Sequence, residues 1–273
     1  LLGVAASAGR IYVTGGSGHE TAFNAYKPTT KSWIPHPPLP QPRWQHMSVV
    51  LSDKLYLMGG YVNSLESASV AVYDINSKSW SAGAPMNEAR RNGQAVVMDG
   101  RIYVAGGLTS SGTLNTAEVY DPATGFWTMI APMSATRHSF AMAGHNGKLY
   151  AFGGNVIGET SEMYDASTDA WTVLPPLFEG SRRNNLAAVT LGDAIYLMGG
   201  TIVTNKLTRV DIYYPNTETW VPVPDMMQGC NYSYSVTLLN KIFLLCASDA
   251  VDPHMNILDS YEPGNRFFLR RKD

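Results

Sequence analysis

The chain has 273 residues, with 20 Lys and Arg against 22 Asp and Glu, a formal net charge of −2. That balance excludes a dedicated nucleic-acid binder, which carries a basic surplus, and 45% hydrophobic residues exclude global disorder. No run of about 18 apolar residues occurs, so no membrane-spanning helix is expected, and no basic-then-apolar leader is visible.

In chain order, the first strand signal covers Leu2 to Ser7, and the second ends on Gly15-Gly16. The same ending recurs at Gly59-Gly60, Gly106-Gly107, Gly153-Gly154 and Gly199-Gly200, at steps of 44, 47, 47 and 46 residues. One further step of 47 reaches Cys246-Ala247, so a sixth repeat has lost its glycine pair. Tyr26, Tyr73, Tyr120, Tyr164, Tyr213 and Tyr261 follow in turn. Seven residues after them stand Trp33, Trp80, Trp127, Trp171, Trp220 and Phe268. The third repeat shows four strands most plainly: Gln94 to Met98, Arg101 to Ala105, Glu118 to Tyr120, and one starting at Phe126-Trp127. Asp99-Gly100 and Asp121-Pro122 mark turns between them. No segment has sustained helical periodicity with caps. Four short antiparallel strands every 44 to 47 residues describe a propeller blade, with blades at about 1–42, 43–89, 90–136, 137–182, 183–229 and 230–273. Each blade is expected to be contiguous in sequence, the last ending in a strand near Arg266 to Arg271. Because the first residue is Leu1, the chain reads as part of something longer.

The glycine pair, the Tyr-Asp of strand three and the Trp of strand four resemble the kelch repeat over nearly the whole chain. The resemblance implies an all-β, six-bladed kelch β-propeller, similar to the substrate-binding domain of BTB-kelch proteins. Repeat six departs from the pattern at its glycines and at Phe268. Repeat five reads Tyr213-Tyr214-Pro215 and repeat one Tyr26-Lys27-Pro28. The repeated aromatics are expected to pack between neighbouring blades rather than to touch a ligand.

Antiparallel geometry puts the connections from strand two to three, and from strand four onward, at one end of every blade. Only that end varies in length. From the first glycine, or Cys246, to the tyrosine the separations are 11, 14, 14, 11, 14 and 15 residues. Rigid scaffolds carry recognition on such loops. Sixteen residues before the first glycine stand Arg43, Arg90, Arg137 and Arg183, with Cys230 in the sixth repeat. Trp44, Arg91, His138, Asn184 and Asn231 come next, then Gln45, Asn92, Ser139, Asn185 and Tyr232. A ring of guanidiniums suits a carboxylate-bearing peptide, because Arg presents a planar fork. An arginine recurring at one repeat position also suits a brace within every blade, and both readings stand at this point. The resemblance adds that substrate-receptor kelch domains use Arg at this position. The expected partner-binding set is therefore Arg43, Trp44, Arg90, Asn92, Arg137, His138, Arg183, Asn185 and Tyr232, with Tyr61 and Asn155 on neighbouring loops. Trp44 is the one tryptophan outside the repeat and is expected at the binding face.

Catalytic and metal-binding patterns are absent from the sequence. None of the six His lies in a metal-ligand spacing, and Gly15-Gly16-Ser17-Gly18 lacks the helix a nucleophile elbow needs. Glu118 and Glu162 recur at one repeat position, which points to the scaffold. Cys230 and Cys246 fall on one hairpin, but their offsets are not symmetric about the turn near Asn240, so free buried thiols are expected. Asn231-Tyr232-Ser233 is a chance glycosylation-type triplet, and the tail with Arg266, Arg270, Arg271 and Lys272 reads as a solvated edge. No cofactor, metal, nucleic acid or membrane is expected. The leading expectation is a cytoplasmic, non-catalytic module that binds a protein or peptide, acidic where the guanidinium ring faces it, with the BTB-kelch resemblance implying a cullin ubiquitin ligase. By the same analogy the alternatives are a kelch-type sugar epimerase or oxidase, and an actin-binding protein.

Overall fold

A computed structural model describes residues 2–155, 161–175, 183–226 and 228–247, and the backbone of the strand Asn256–Tyr261. The described residues contain strands and turns but no α-helix, and no helix is long and apolar enough to cross a membrane. The chain divides into two compact units, Leu1–His138 and Ser139–Asp273.

The first unit holds three antiparallel sheets of four strands. They are Gly3–Ser7, Arg10–Thr14, Phe23–Lys27 and Ser32–Pro35; then Met47–Leu51, Lys54–Met58, Val70–Asp74 and Ser79–Gly83; then Gln94–Met98, Arg101–Ala105, Ala117–Asp121 and Phe126–Ile130. The second unit repeats the pattern with Ala141–His145, Lys148–Phe152, Ser161–Asp165 and Ala170–Leu174, then Ala187–Leu191, Ala194–Met198, Val210–Tyr214 and Thr219–Pro222. Its last sheet contains Tyr232–Leu238, Lys241–Ala247 and Asn256–Tyr261. Each four-stranded sheet takes its strands in order from one stretch of chain. The strand expected near Arg266 to Arg271, with Phe268 and the basic tail, lies outside the described residues.

Local chemistry accounts for the turns. Strands one and two are joined by two-residue hairpins at Ser52-Asp53 (φ 49° and 58°), Asp99-Gly100 (50° and 73°) and Asn146-Gly147 (49° and 71°). Positive φ at both central positions matches the strand twist and favours Gly, Asn and Asp. The seven-residue spacing of Tyr and Trp is a register effect. Tyr73 lies directly opposite Trp80 and Tyr120 opposite Trp127 across strands three and four, with ring centroids 4.9 and 5.2 Å apart. The indole N–H of Trp80 donates to Pro37 O (3.2 Å) and that of Trp127 to Ala84 O (3.0 Å), so each Trp ties its sheet to the one before.

The core lies in the seams between consecutive sheets. Tyr12 and Ala25 of the first sheet pack with Leu55, Leu57 and Tyr73 of the second. Tyr56, Met58 and Val72 pack with Ile102, Val104 and Trp127. In the second unit, Tyr150 and Phe152 meet Ile195 and Leu197, and Tyr196 and Met198 meet Ile242 and Leu244. Each buried Val, Leu, Ile, Met or Phe among them contributes roughly 1.5–3 kcal/mol by leaving water, and the repeat distributes that gain along the chain.

The length variation has a definite form. Each 14-residue gap in repeats two, three and five holds a small hairpin: Tyr61–Val62 with Leu65–Glu66, Leu108–Thr109 with Gly112–Thr113, and Thr201–Ile202 with Asn205–Lys206. The 11-residue gap after Gly15 holds turns instead.

Candidate functional site

The glycine pairs and the four arginines form one device. At Gly59 and Gly60 φ is 65° and 85°, and at Gly106 and Gly107 it is 59° and 114°. These values turn the chain out of the sheet and leave the first glycine's carbonyl without a strand partner. The arginine side chain caps that carbonyl. Arg43 Nη1 donates to Gly59 O (2.7 Å) and Ser69 O (3.0 Å), and Nη2 to Ser69 Oγ (2.8 Å). Arg90 Nη1 donates to Gly106 O (2.7 Å) and Thr116 O (3.1 Å), while Nη2 meets Glu118 Oε1 at 3.1 Å. Arg183 Nε donates to Gly199 O (3.2 Å), and its Nη1 is paired with Asp211.

The arginine backbone serves the preceding sheet. Gly16, Gly60, Gly107 and Gly154 donate their N–H to the carbonyls of Arg43, Arg90, Arg137 and Arg183, at 3.2, 2.8, 2.9 and 2.8 Å. Arg43 is 2% exposed, and Arg90, Arg137 and Arg183 are 0%. Burial lowers the Arg43 pKa to about 10, so the group stays charged at neutral pH. This corrects the expectation of a peptide-facing guanidinium ring. All four side chains, Arg43, Arg90, Arg137 and Arg183, are buried in the scaffold, and those of Arg43, Arg90 and Arg183 cap the carbonyl that the glycine bend orphans. Of the two readings of the ring, the brace is the one the geometry adopts.

The residue after each arginine sits differently. Trp44 pairs through its backbone with Tyr61, Arg91 with Leu108 and Asn184 with Thr201, which holds these side chains at the loop end. In the first unit they converge. The Trp44 ring stacks on Tyr61 with centroids 4.7 Å apart and planes 26° apart. The Arg91 guanidinium lies over the Tyr61 ring, 4.7 Å from its centroid. Arg91 Nη1 donates to Gln45 Oε1 (3.1 Å) and Nε to Glu66 Oε1 (3.4 Å). No hydrogen bond of Nη2 is present among the described residues. The Arg91 side chain is 18% exposed and that of Glu66 15%. Burial first, and then the Arg91 charge, hold the His138 imidazole below its ordinary pKa. The arrangement offers a carboxylate two things at once: a positioned cationic donor and an aromatic shelf beside it.

Of the predicted residues, Trp44, Tyr61 and His138 belong to this neighbourhood. Asn92 takes the left-handed conformation (φ 52°) and donates its N–H to Gln45 O at 3.0 Å. Asn185 does the same in the second unit, with φ 56° and a bond to Ser139 O at 2.8 Å. An amide at this position therefore meets a backbone requirement as well as offering a polar side chain. Tyr232 and Asn155 lie in the second unit, Tyr232 half-buried at a strand start and Asn155 exposed. Arg91, Gln45 and Glu66 complete the cluster and were outside the predicted set. The signal for Arg91 was its place between Trp44 and His138 in the repeat alignment. Glu66 had none, because its hairpin is invisible in the repeat.

Cys230 and Cys246 form a disulfide, against the expectation of free thiols. The strand starts at Tyr232 with Ser233 opposite Cys246, so Cys230 has already left the strand direction and turns back towards its partner. Among the described residues no group of three His, Cys, Asp or Glu is placed to hold a metal.

Comparisons with known proteins agree with this architecture. The family model described as FKB95, Kelch-repeats domain matches residues 18–174, and the Kelch motif model matches residues 182–227. A solved structure of YjhT, which has a kelch-type propeller fold, superposes with a TM-score of 0.82 at 15% identity, covering 99% of this chain and 97% of that one. The likeness is one of fold. The search of curated proteins finds no match.

Proposed function

Since the chain belongs to the kelch-repeat family, whose propellers commonly mediate protein interactions, we propose that it is a recognition module for a protein or peptide partner, with its anchor at Trp44, Tyr61 and Arg91. The supporting observation is the Arg91 guanidinium, held over Tyr61 by Gln45 and Glu66 with one nitrogen left for a ligand. A partner carrying Asp or Glu next to an apolar group fits best. The carboxylate meets Arg91, and the apolar group packs on the Trp44–Tyr61 stack. In this reading the domain carries no catalytic residues. It serves as the substrate-receptor part of a cytoplasmic BTB-kelch adaptor of a cullin ubiquitin ligase.

Selection of binders from a random peptide library tests the proposal. Recovered peptides should be enriched in acidic residues and lose affinity between 0.1 and 1 M salt, where the screening length shrinks from about 10 to about 3 Å. Recovery of peptides with no acidic enrichment and no salt dependence would overturn it.

Proton linkage supplies a second expected result. A bound carboxylate offsets the Arg91 charge that depresses the His138 pKa, so that pKa rises in the complex. The complex then holds more protons than its free components. Affinity should therefore increase as pH falls below 6.5, the ordinary imidazole value from which His138 is depressed, and the His138→Gln variant should flatten the profile. A pH-independent affinity in the parent would contradict the placement of the ligand beside His138.

A further inference from the structure

The arginine-to-glycine brace spans a fixed interval. Arg43 reaches Gly59, Arg90 reaches Gly106 and Arg183 reaches Gly199, each 16 residues on. In the sixth repeat the same two positions are Cys230 and Cys246, also 16 apart, and they are joined covalently with a Cα–Cα distance of 5.4 Å. Both ends of the brace have changed together. The backbone role of the position is kept. Cys230 N–H donates to Leu207 O (3.1 Å), as Arg90 N–H does to Ser67 O (3.2 Å), and Cys230 O accepts from Gly200 N (2.9 Å), as Arg90 O does from Gly60 N (2.8 Å). Cys230 is 1% exposed and Cys246 9%.

We propose that this disulfide is a thiol-operated version of the brace, a lock on the loop end of the last sheet. Closed, it fixes the Cys230 backbone against Gly200 and Leu207, which flank the hairpin Thr201–Lys206, and so sets the position of Asn231 and Tyr232. Opening needs a dithiol reductant. One reductant thiolate attacks a cysteine sulfur, the S–S bond breaks, and the second reductant thiol displaces the mixed disulfide. Two electrons and two protons pass to the protein, giving Cys230–SH and Cys246–SH, while the reductant leaves as a cyclic disulfide. The reduced site holds no guanidinium to take over, unlike the second, third and fifth repeats. Burial of both sulfurs means that the reductant acts through a local opening rather than on the closed surface.

The test is hydrogen exchange of the whole chain, read by mass spectrometry with and without a soluble dithiol, beside alkylation of free thiols. Without reductant, no cysteine should be alkylated. With it, two should be, and the amides of Gly200, Leu207 and Cys230 should exchange roughly tenfold faster or more, while those of Gly60 and Gly107 stay unchanged. In the double variant Cys230→Arg, Cys246→Gly, which rebuilds the brace of the other repeats, these amides should exchange slowly whether or not dithiol is present. Two alkylatable thiols before reduction, or equal exchange at Gly200 and Cys230 in both states, would sink the lock. A folded double variant that exchanges like the reduced parent would show that brace and disulfide are not equivalent. If the double variant does not fold, the parent in its two redox states decides.

Discussion

Replacing Arg90 with Ala should cost about 3–5 kcal/mol of folding stability, the range found when one partner of a buried ion pair is removed. Arg90 and Glu118 are both 0% exposed, with Arg90 Nη2 3.1 Å from Glu118 Oε1. The variant strands the Glu118 charge, although Glu118 Oε2 keeps the Asn87 N–H at 2.7 Å. It also removes the Nη1 donor from Gly106 O and Thr116 O. Equilibrium unfolding in urea measures the loss. The double variant Arg90→Met, Glu118→Leu should recover only the part due to the stranded carboxylate, because Gly106 O and Thr116 O stay uncapped and the Asn87 N–H loses its acceptor. Lys at position 90 should rescue poorly, since a single ammonium cannot reproduce the guanidinium fork. Any loss of partner binding on mutating Arg43, Arg90, Arg137 or Arg183 reports on the scaffold first.

Gly60→Ala should be nearly as damaging, at about 3 kcal/mol, the upper part of the range for a side chain forced into a sparsely populated backbone region. Its φ is 85°, and a Cβ there would lie 2.6 Å from Trp44 O and 2.9 Å from His46 N. Both neighbours are backbone, so neither yields by a rotamer change. The same position donates its N–H to Arg90 O, so any shift of Gly60 pulls on the next brace. Gly100→Ala is the control. Its φ is 73° with nothing within 4 Å of the added carbon, so only the backbone preference is lost, about 1 kcal/mol. A thermal or urea melt of the two variants separates close approach from conformational preference.

The fold was legible because five repeats carry the same glycine pair, Tyr and Trp. The Tyr–Trp spacing is the register of strands three and four, and the glycine pair is the bend that closes strand two, so each repeat states its own geometry. The site was only half legible. Sequence position alone put the arginines of one repeat column and the residues that follow them in the same neighbourhood. Which of two adjacent side chains turns inward depends on the orphan carbonyl at the glycine bend, and that follows from the backbone rather than from residue type. Thus Arg90 and Arg91 are chemically identical and adjacent, yet one is fully buried in the scaffold and the other lies partly exposed on Tyr61. The disulfide escaped for the same reason. Cys230 occupies the arginine column, where the chain has already left the strand, and counting along a straight hairpin misplaces it.

If Arg90 braces the scaffold and Arg91 meets the ligand, the affinity of the Arg91→Ala variant for a library-selected acidic peptide shows the division most directly. The expected result is a loss of about tenfold to a hundredfold at 0.1 M salt, the equivalent of one charge-assisted hydrogen bond. Unfolding free energy should stay within about 1 kcal/mol of the parent, as for other part-exposed ion pairs. An Arg91→Ala protein that folds as well as the parent and binds the peptide equally tightly would contradict it.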